Sequence, residues 1–288
     1  MARQISNQFL NELKTMPILE YVKTDDTLNM ELRGNKVIIY YRGGKLLTVV
    51  DKNPTIFEPL DEKYLKENID LDTENIEDYI PKAKRVIDRY VVEVKNHLWE
   101  KEIQQRVVQE NNYSQNSLET DFFIIDTEYQ DIFRFDMIAL RWDSTITARK
   151  LQNYLPKITI FEAKQGFNDG SIKGTSGMYS HWNNFNEFIA NKDKIESFKE
   201  DMKTVFEQKR ALGLITGTEK YEKIDKIADD VDFVFLLANY KPASSILKSE
   251  LDKISDCKFI FSNPMGYGLY ERNIINKQDF IKRFLIVS

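Results

Sequence analysis

The sequence predicts an α/β protein: a mixed sheet flanked by helices, preceded by a small N-terminal α+β unit built on a three-stranded antiparallel meander. Three observations carry this prediction. The second half alternates a long helical stretch, three strand-like runs, a helix, a strand, a helix and a last strand, an order that covers both faces of a sheet. Near the N-terminus, Gly34-Asn35 and Gly43-Gly44 divide TLNMELRGNKVIIYYRGGKLLTVV into three runs rich in Leu, Ile, Val and Tyr. Residues 51 to 80 hold Pro54, Pro59 and a mostly acidic stretch that ends at Pro81, a composition suited to a boundary. We therefore expect an accessory unit over 1–80 and a larger unit over 81–288.

In chain order, Ile5, Phe9, Leu10 and Leu13 stand at helical spacing, with Pro17 as the stop. Residues 82 to 110 contain no Gly or Pro and read as one long helix with the stripe Ile87, Val91, Val94 and Leu98. The next position on that stripe is Glu102. Ile103 and Val107 fall on another side, so the stripe drifts or the helix breaks near Trp99. DFFIIDTEY and FRFDMIALRW pair as a hairpin around Gln130, Asp131 and Ile132, and KITIFEAKQ supplies a third strand. The Gly-rich segment GFNDGSIKGTSG leads into a helical region from about 176 to 210. DFVFLLANY then reads as a buried strand, SSILKSELDKI as a helix and CKFIFS as the last strand.

Composition narrows the function classes. With 288 residues and 42% hydrophobic content the chain can bury a core without staples. Forty-one Lys plus Arg against 46 Asp plus Glu exclude a generally basic surface, so any nucleic-acid contact must be local. One cysteine, Cys257, and two histidines, His97 and His181, cannot build a Cys/His zinc site, and the expected location is cytoplasmic. No apolar run approaches the roughly 20 residues that cross a bilayer, so no membrane partner is expected.

The chemistry concentrates in the strands. Alternation points Glu162 and Lys164 to the same side of IFEAKQ, and burying such charges costs several kcal/mol unless they are paired or hold a metal. Asp136 interrupts the apolar run FRFDMIAL, while Asp126 and Glu128 close the run of FFIIDTEY. Glu102 on the preceding helix adds a further oxygen donor. Carboxylates without His or Cys suit Mg²⁺ or Mn²⁺. Lys164 beside such an ion would orient or deprotonate an attacking water. The plain alternative is a structural salt bridge at a strand end. GFNDGSIKGTSG lacks the Gly-Lys-Ser/Thr of a phosphate loop, which disfavours nucleotide hydrolysis.

Asp136 followed by Glu162-Ala163-Lys164, with Glu102 upstream on a helix, resembles the PD-(D/E)XK nuclease superfamily over roughly residues 83 to 262. Phe135 stands where the family's name has proline. The resemblance implies a restriction-endonuclease-like fold and a Mg²⁺-dependent endonuclease, with DNA as substrate ahead of RNA. It assigns Asp136, Glu162 and Glu102 to the metal and Lys164 to the nucleophilic water. Gln165, Lys173 and His181 are candidate substrate contacts, and Arg149 and Lys150 candidate groove residues. The rival expectation is an inactive nuclease-fold module that binds nucleic acid or protein. The sequence sets no oligomeric state.

Overall fold

The computed structural model describes the chain apart from residues 1, 66–70, 94–98, 166–171, 239–244, 263–265 and 286–288. Helix α1 (Asn7–Leu13) is capped by Ser6, whose hydroxyl accepts from the Phe9 amide at 3.0 Å. Pro17 opens helix α2 (Pro17–Thr24) as well as ending the first, because the first helical position has no N–H bond to lose. Strands β1 (Leu28–Leu32), β2 (Lys36–Tyr41), β3 (Gly44–Val50) and β4 (Ile56–Glu58) form an antiparallel sheet in that order. The meander thus has one more strand than expected, the short Ile-Phe-Glu between Pro54 and Pro59.

Helix α3 (Ile76–Glu93) packs on β3, with Ile87 against Gly44. The helix runs through residue 80 and Pro81, held by a buried face that includes Tyr79, Ala83, Ile87 and Val91. The expected boundary at 80 therefore falls inside an element of the N-terminal sheet's own core. The long helix expected over 82–110 is described as α3 up to Glu93 and as α4 (Trp99–Val108), and residues 94–98, His97 among them, lie outside the described residues.

The second sheet has six strands in the order β10-β9-β8-β7-β6-β5. Strands β5 (Phe122–Gln130), β6 (Arg134–Arg141) and β7 (Lys157–Gln165) form an antiparallel run, β5 with β6 and β6 with β7. Strands β8 (Asp232–Ala238) and β9 (Lys258–Ser262) continue parallel to β7, and the short β10 (Ile275–Asn276) closes part of the edge. This mixed topology matches the predicted α/β class. Between β6 and β7 sits the single turn α5 (Ile146–Arg149). The helical region from 176 to 210 is split into α6 (Met178–Ala190) and α7 (Lys192–Ala211) at Asn191, whose side chain caps α7 through the Lys194 amide. Helices α8 (Ser245–Leu251) and α9 (Lys277–Phe284) follow. No helix among the described residues is long and apolar enough to cross a membrane.

One face of this sheet buries Phe122, Ile124, Met137, Phe161 and Val234 with Ile103 and Val107 of α4. The other face buries Ile138, Leu140, Ile158 and Ile160 with α6, α7 and the N-terminal unit. Two features tie the units together. Gly43, at φ +74°, ends the β2–β3 turn so close to α4 that an added Cβ would lie 2.6 Å from that of Lys101, and its amide donates to Gln105 at 2.9 Å. Deeper in, Arg33 pairs with Asp126, Arg3 reaches the same carboxylate at 3.1 Å, and Lys209 meets Glu31 at 3.0 Å.

Candidate active site

Asp136 and Glu162 meet where two strands part. The β6–β7 ladder runs from Arg141↔Lys157 to Met137↔Phe161, and the next residue on each strand is Asp136 and Glu162. Beyond that point β7 keeps its pairing with β8 through Gln165, while its free side is capped by a side chain: the Ala163 amide donates to Asp136 Oδ2 at 2.8 Å. Asp136 thereby takes over the backbone bond that its own strand no longer supplies. Glu162 and Lys164 continue the row of Ile158 and Ile160 on the face covered by α6 and α7, as period-two alternation requires.

All three groups are buried, Asp136 and Lys164 at 4% exposure and Glu162 at 1%. Lys164 Nζ donates to Glu162 Oε1 at 2.6 Å, and Nε2 of His181, in the second turn of α6, lies 3.1 Å from the same oxygen. Glu162 Oε2 is buried without a hydrogen-bond partner among the described residues. Burial and the facing Glu162 push the Asp136 carboxyl well above the usual range, with Glu100 adding to the effect and Lys164 opposing it. Burial pushes Glu162 up to about 7, with Lys164 and a hydrogen bond shared with the Asp136 carboxyl pulling it down and Glu100 pushing it up. For Lys164, burial lowers the ammonium, but Glu162 and Asp136 outweigh burial and hold it above its ordinary value. In this arrangement it is placed to donate a hydrogen bond.

On α4 the carboxylate whose charge bears on Asp136 and Glu162 is Glu100, whereas Glu102 lies elsewhere. Glu102 turns toward the N-terminal sheet, 3.5 Å from Arg42 and 3.2 Å from Arg106, in a cleft of about 430 Å³ that also includes Tyr41 and Gln105. The reason is helical phase. Ile103 and Val107 set the buried side of α4, and Glu100 precedes Ile103 by three residues, whereas Glu102 shares a side with Arg106. Carrying the stripe of α3 across to α4 mis-phased the prediction, and the apolar Ile103 and Val107 were the signal that could have corrected it.

The other candidates divide. His181 joins the cluster through Glu162 and not through an exposed phosphate-facing position. Gln165 is the last residue of β7, half-buried beside Lys164, and Lys173 is exposed ahead of the turn Gly174–Ser176. Part of the Gly-rich segment, residues 166–171, lies outside the described residues. Arg149 is not a groove residue: it is buried with its guanidinium over Phe123 and Trp142 and donates to the Thr120 carbonyl at 2.7 Å. Arg149 and exposed Lys150 follow the Arg141 end of β6, five residues or about 17 Å along the strand from Asp136. Asp126 is paired with Arg3 and Arg33, although burial still pushes its carboxyl up to about 6, and Glu128 is paired with Arg134 and Lys101.

A divalent cation fits the donor set in two respects. Two carboxylates face each other in a buried site, which favours a proton or a cation between them, and one buried carboxylate oxygen has no hydrogen bond. Three His, Cys, Asp or Glu side chains are not clustered tightly enough among the described residues to form a complete ligand set. Comparison of the chain with family models, curated proteins and solved structures finds no match.

Proposed function

We propose that the chain is a metal-dependent nuclease of the PD-(D/E)XK type, with a restriction-endonuclease-like core, that hydrolyses phosphodiester bonds in cytoplasmic DNA. The observation that carries this reading is the meeting of Asp136, Glu162 and Lys164 at the point where β6 and β7 separate, all buried, with Glu162 Oε2 unbonded. Asp136 and Glu162 would hold Mg²⁺ or Mn²⁺, with Glu100 adding negative charge from α4. The ion would supply a nucleophilic water at neutral pH and offset charge developing on the phosphodiester. Lys164, kept protonated, would orient that water and face the phosphate as a fixed cation. His181 would hold Glu162 in the rotamer that leaves Oε2 open. RNA is the alternative substrate.

A second reading has an observation of its own. Lys164 and His181 both engage Glu162 Oε1, so the cluster is balanced in part without an added ion, as suits a nuclease-fold module that binds without cutting. One assay separates the two. Supercoiled plasmid and matching RNA are incubated with the protein and Mg²⁺ or Mn²⁺, with and without EDTA, beside Lys164→Ala. Cleavage that needs the ion and Lys164 supports the nuclease. Equal behaviour of wild type and variant on every substrate leaves the non-cutting module.

A further inference from the structure

A cleft of about 660 Å³ opens at the sheet edge where β9 outruns β10, bounded by Phe261, Tyr270, Arg272, Arg283 and Phe284 and touched by one carboxylate, Glu110. Arg272 and Arg283 are exposed, and neither has a carboxylate partner among the described residues, in a chain where most buried and half-buried cations are paired. Arg272 lies over the Tyr270 ring at 4.8 Å, and Phe284 packs on Phe261 at 5.0 Å, so flat faces and unpaired guanidinium groups share one wall. The cleft is also in line with the candidate site. Lys164 pairs with Leu237 and Leu237 with Phe261, which places Phe261 two strands across from Lys164 on the same side of the sheet, about 10 Å between backbones.

We propose that this cleft binds a single nucleic-acid strand beside the catalytic cluster, Arg272 and Arg283 taking phosphates and Tyr270 stacking on a base. The proposal deepens the nuclease reading and rests on it for the ligand's class. Aromatic faces next to unpaired arginines suit single strands, whose bases are free to stack, better than duplexes, whose bases are already stacked. With only two arginines and a net charge of -5 on the chain, affinity depends on those few contacts and falls as salt rises.

The test is binding in EDTA, where no cleavage interferes. A fluorescent oligothymidylate is titrated with wild type, Arg272→Ala/Arg283→Ala and Tyr270→Ala, with the corresponding duplex and inorganic polyphosphate as further probes and thermal melts to check folding. The arginine variant is expected to bind about tenfold more weakly, with the slope of log affinity against log salt reduced by about 1.4, two phosphates at about 0.7 each. Tyr270→Ala is expected to weaken oligothymidylate about tenfold and leave polyphosphate unchanged. Unchanged oligothymidylate binding by the arginine variant overturns the proposal. So does a Tyr270→Ala protein that behaves as wild type, which makes the cleft a plain anion patch, and so does tighter binding of the duplex through these residues. The two readings fail separately: tight binding in EDTA without cleavage in Mg²⁺ removes the nuclease and keeps the cleft, whereas cleavage with unaltered binding by the variants removes the cleft alone.

Discussion

Lys209 and Glu31, 178 residues apart in the chain, meet at 3.0 Å with both side chains fully enclosed. One comes from α7, which covers the six-stranded sheet, and the other from β1 of the N-terminal sheet. The carboxylate also accepts from Asn29 at 2.9 Å and lies 3.7 Å from Arg33, which in turn holds Asp126 on β5. Burial alone would raise the Glu31 carboxyl, but Lys209 and Arg33 outweigh it and keep it below its ordinary value. The N-terminal sheet is thus bound to the six-stranded sheet by charges that cannot be separated without leaving one unpaired. Lys209→Met is expected to destabilise the protein by about 3–5 kcal/mol, because the uncompensated carboxylate remains inside. Adding Glu31→Gln to it should recover part of the loss. Urea denaturation measures both, and a single variant within about 0.5 kcal/mol of wild type would mean the network does not hold the sheets together.

In the proposed nuclease, Lys164 is the residue on which the chemistry would turn. Its ammonium is held charged by Glu162 and Asp136, so removing it would take away both the cation proposed to face the phosphate and the partner that lowers Glu162. Lys164→Ala is expected to reduce the cleavage rate by about 10²–10³, the usual scale for loss of one preorganised electrostatic contact. Single-turnover cleavage at saturating Mn²⁺ separates this from weakened metal binding. A rate within twofold of wild type, about 0.4 kcal/mol in the barrier, would exclude a role in the chemical step.

Glu100 and Glu102 give a sharper contrast, since they differ by two residues and by the side of α4 they occupy. Glu100 acts on Asp136, Glu162 and Lys164, whereas Glu102 acts on Arg42 and Arg106. Glu100→Gln is expected to weaken Mn²⁺ binding or cleavage by about 10–100-fold, the range for a charge that supports a metal site from outside its closest ligands. Glu102→Gln should leave both within a factor of two. The reverse pattern would show that α4 is rotated from the phase described.

How far these features could be read in advance depends on whether the governing contact is local. Strand alternation is local, so the common side of Glu162 and Lys164, the β5–β6 hairpin and the α/β order all followed from the residues themselves. Glu102 was chosen by continuing the stripe of α3 into α4, where Ile103 and Val107 set a different buried side. Other features were hidden because polar residues serve as structure. Asn112 donates to the Ile124 carbonyl and accepts its amide, both at 2.8 Å, standing in for a neighbouring strand at the edge of β5. Asn111 likewise holds Tyr267 and Leu269 through their backbones. In sequence these asparagines read as a polar connector. Arg149 misled in the same way, since a guanidinium stacked on Trp142 and Phe123 looks, without the fold, like a free basic residue.

The pH dependence of stability follows from Glu162. Its ordinary value is 4.5 and burial raises it to about 7, so between these values the folded chain keeps a proton that the unfolded chain has released. A raised carboxyl contributes stability that is fully present below 4.5 and lost as pH rises through about 7. Asp136, raised in the same site, acts in the same direction. Other carboxylates, such as Glu31, are lowered by their partners and act oppositely, so the diagnostic quantity is the difference between wild type and Glu162→Gln. In EDTA the variant's melting temperature is expected to gain on wild type as pH rises across this window, because glutamine carries no charge to desolvate. Mg²⁺ should narrow that gap by stabilising wild type most above about 7, where Glu162 is ready to bind it without displacing its own proton. A gap that stays constant with pH would place the Glu162 carboxyl in water or in a fully compensated ion pair, and the site would then lack the strain that a divalent cation relieves.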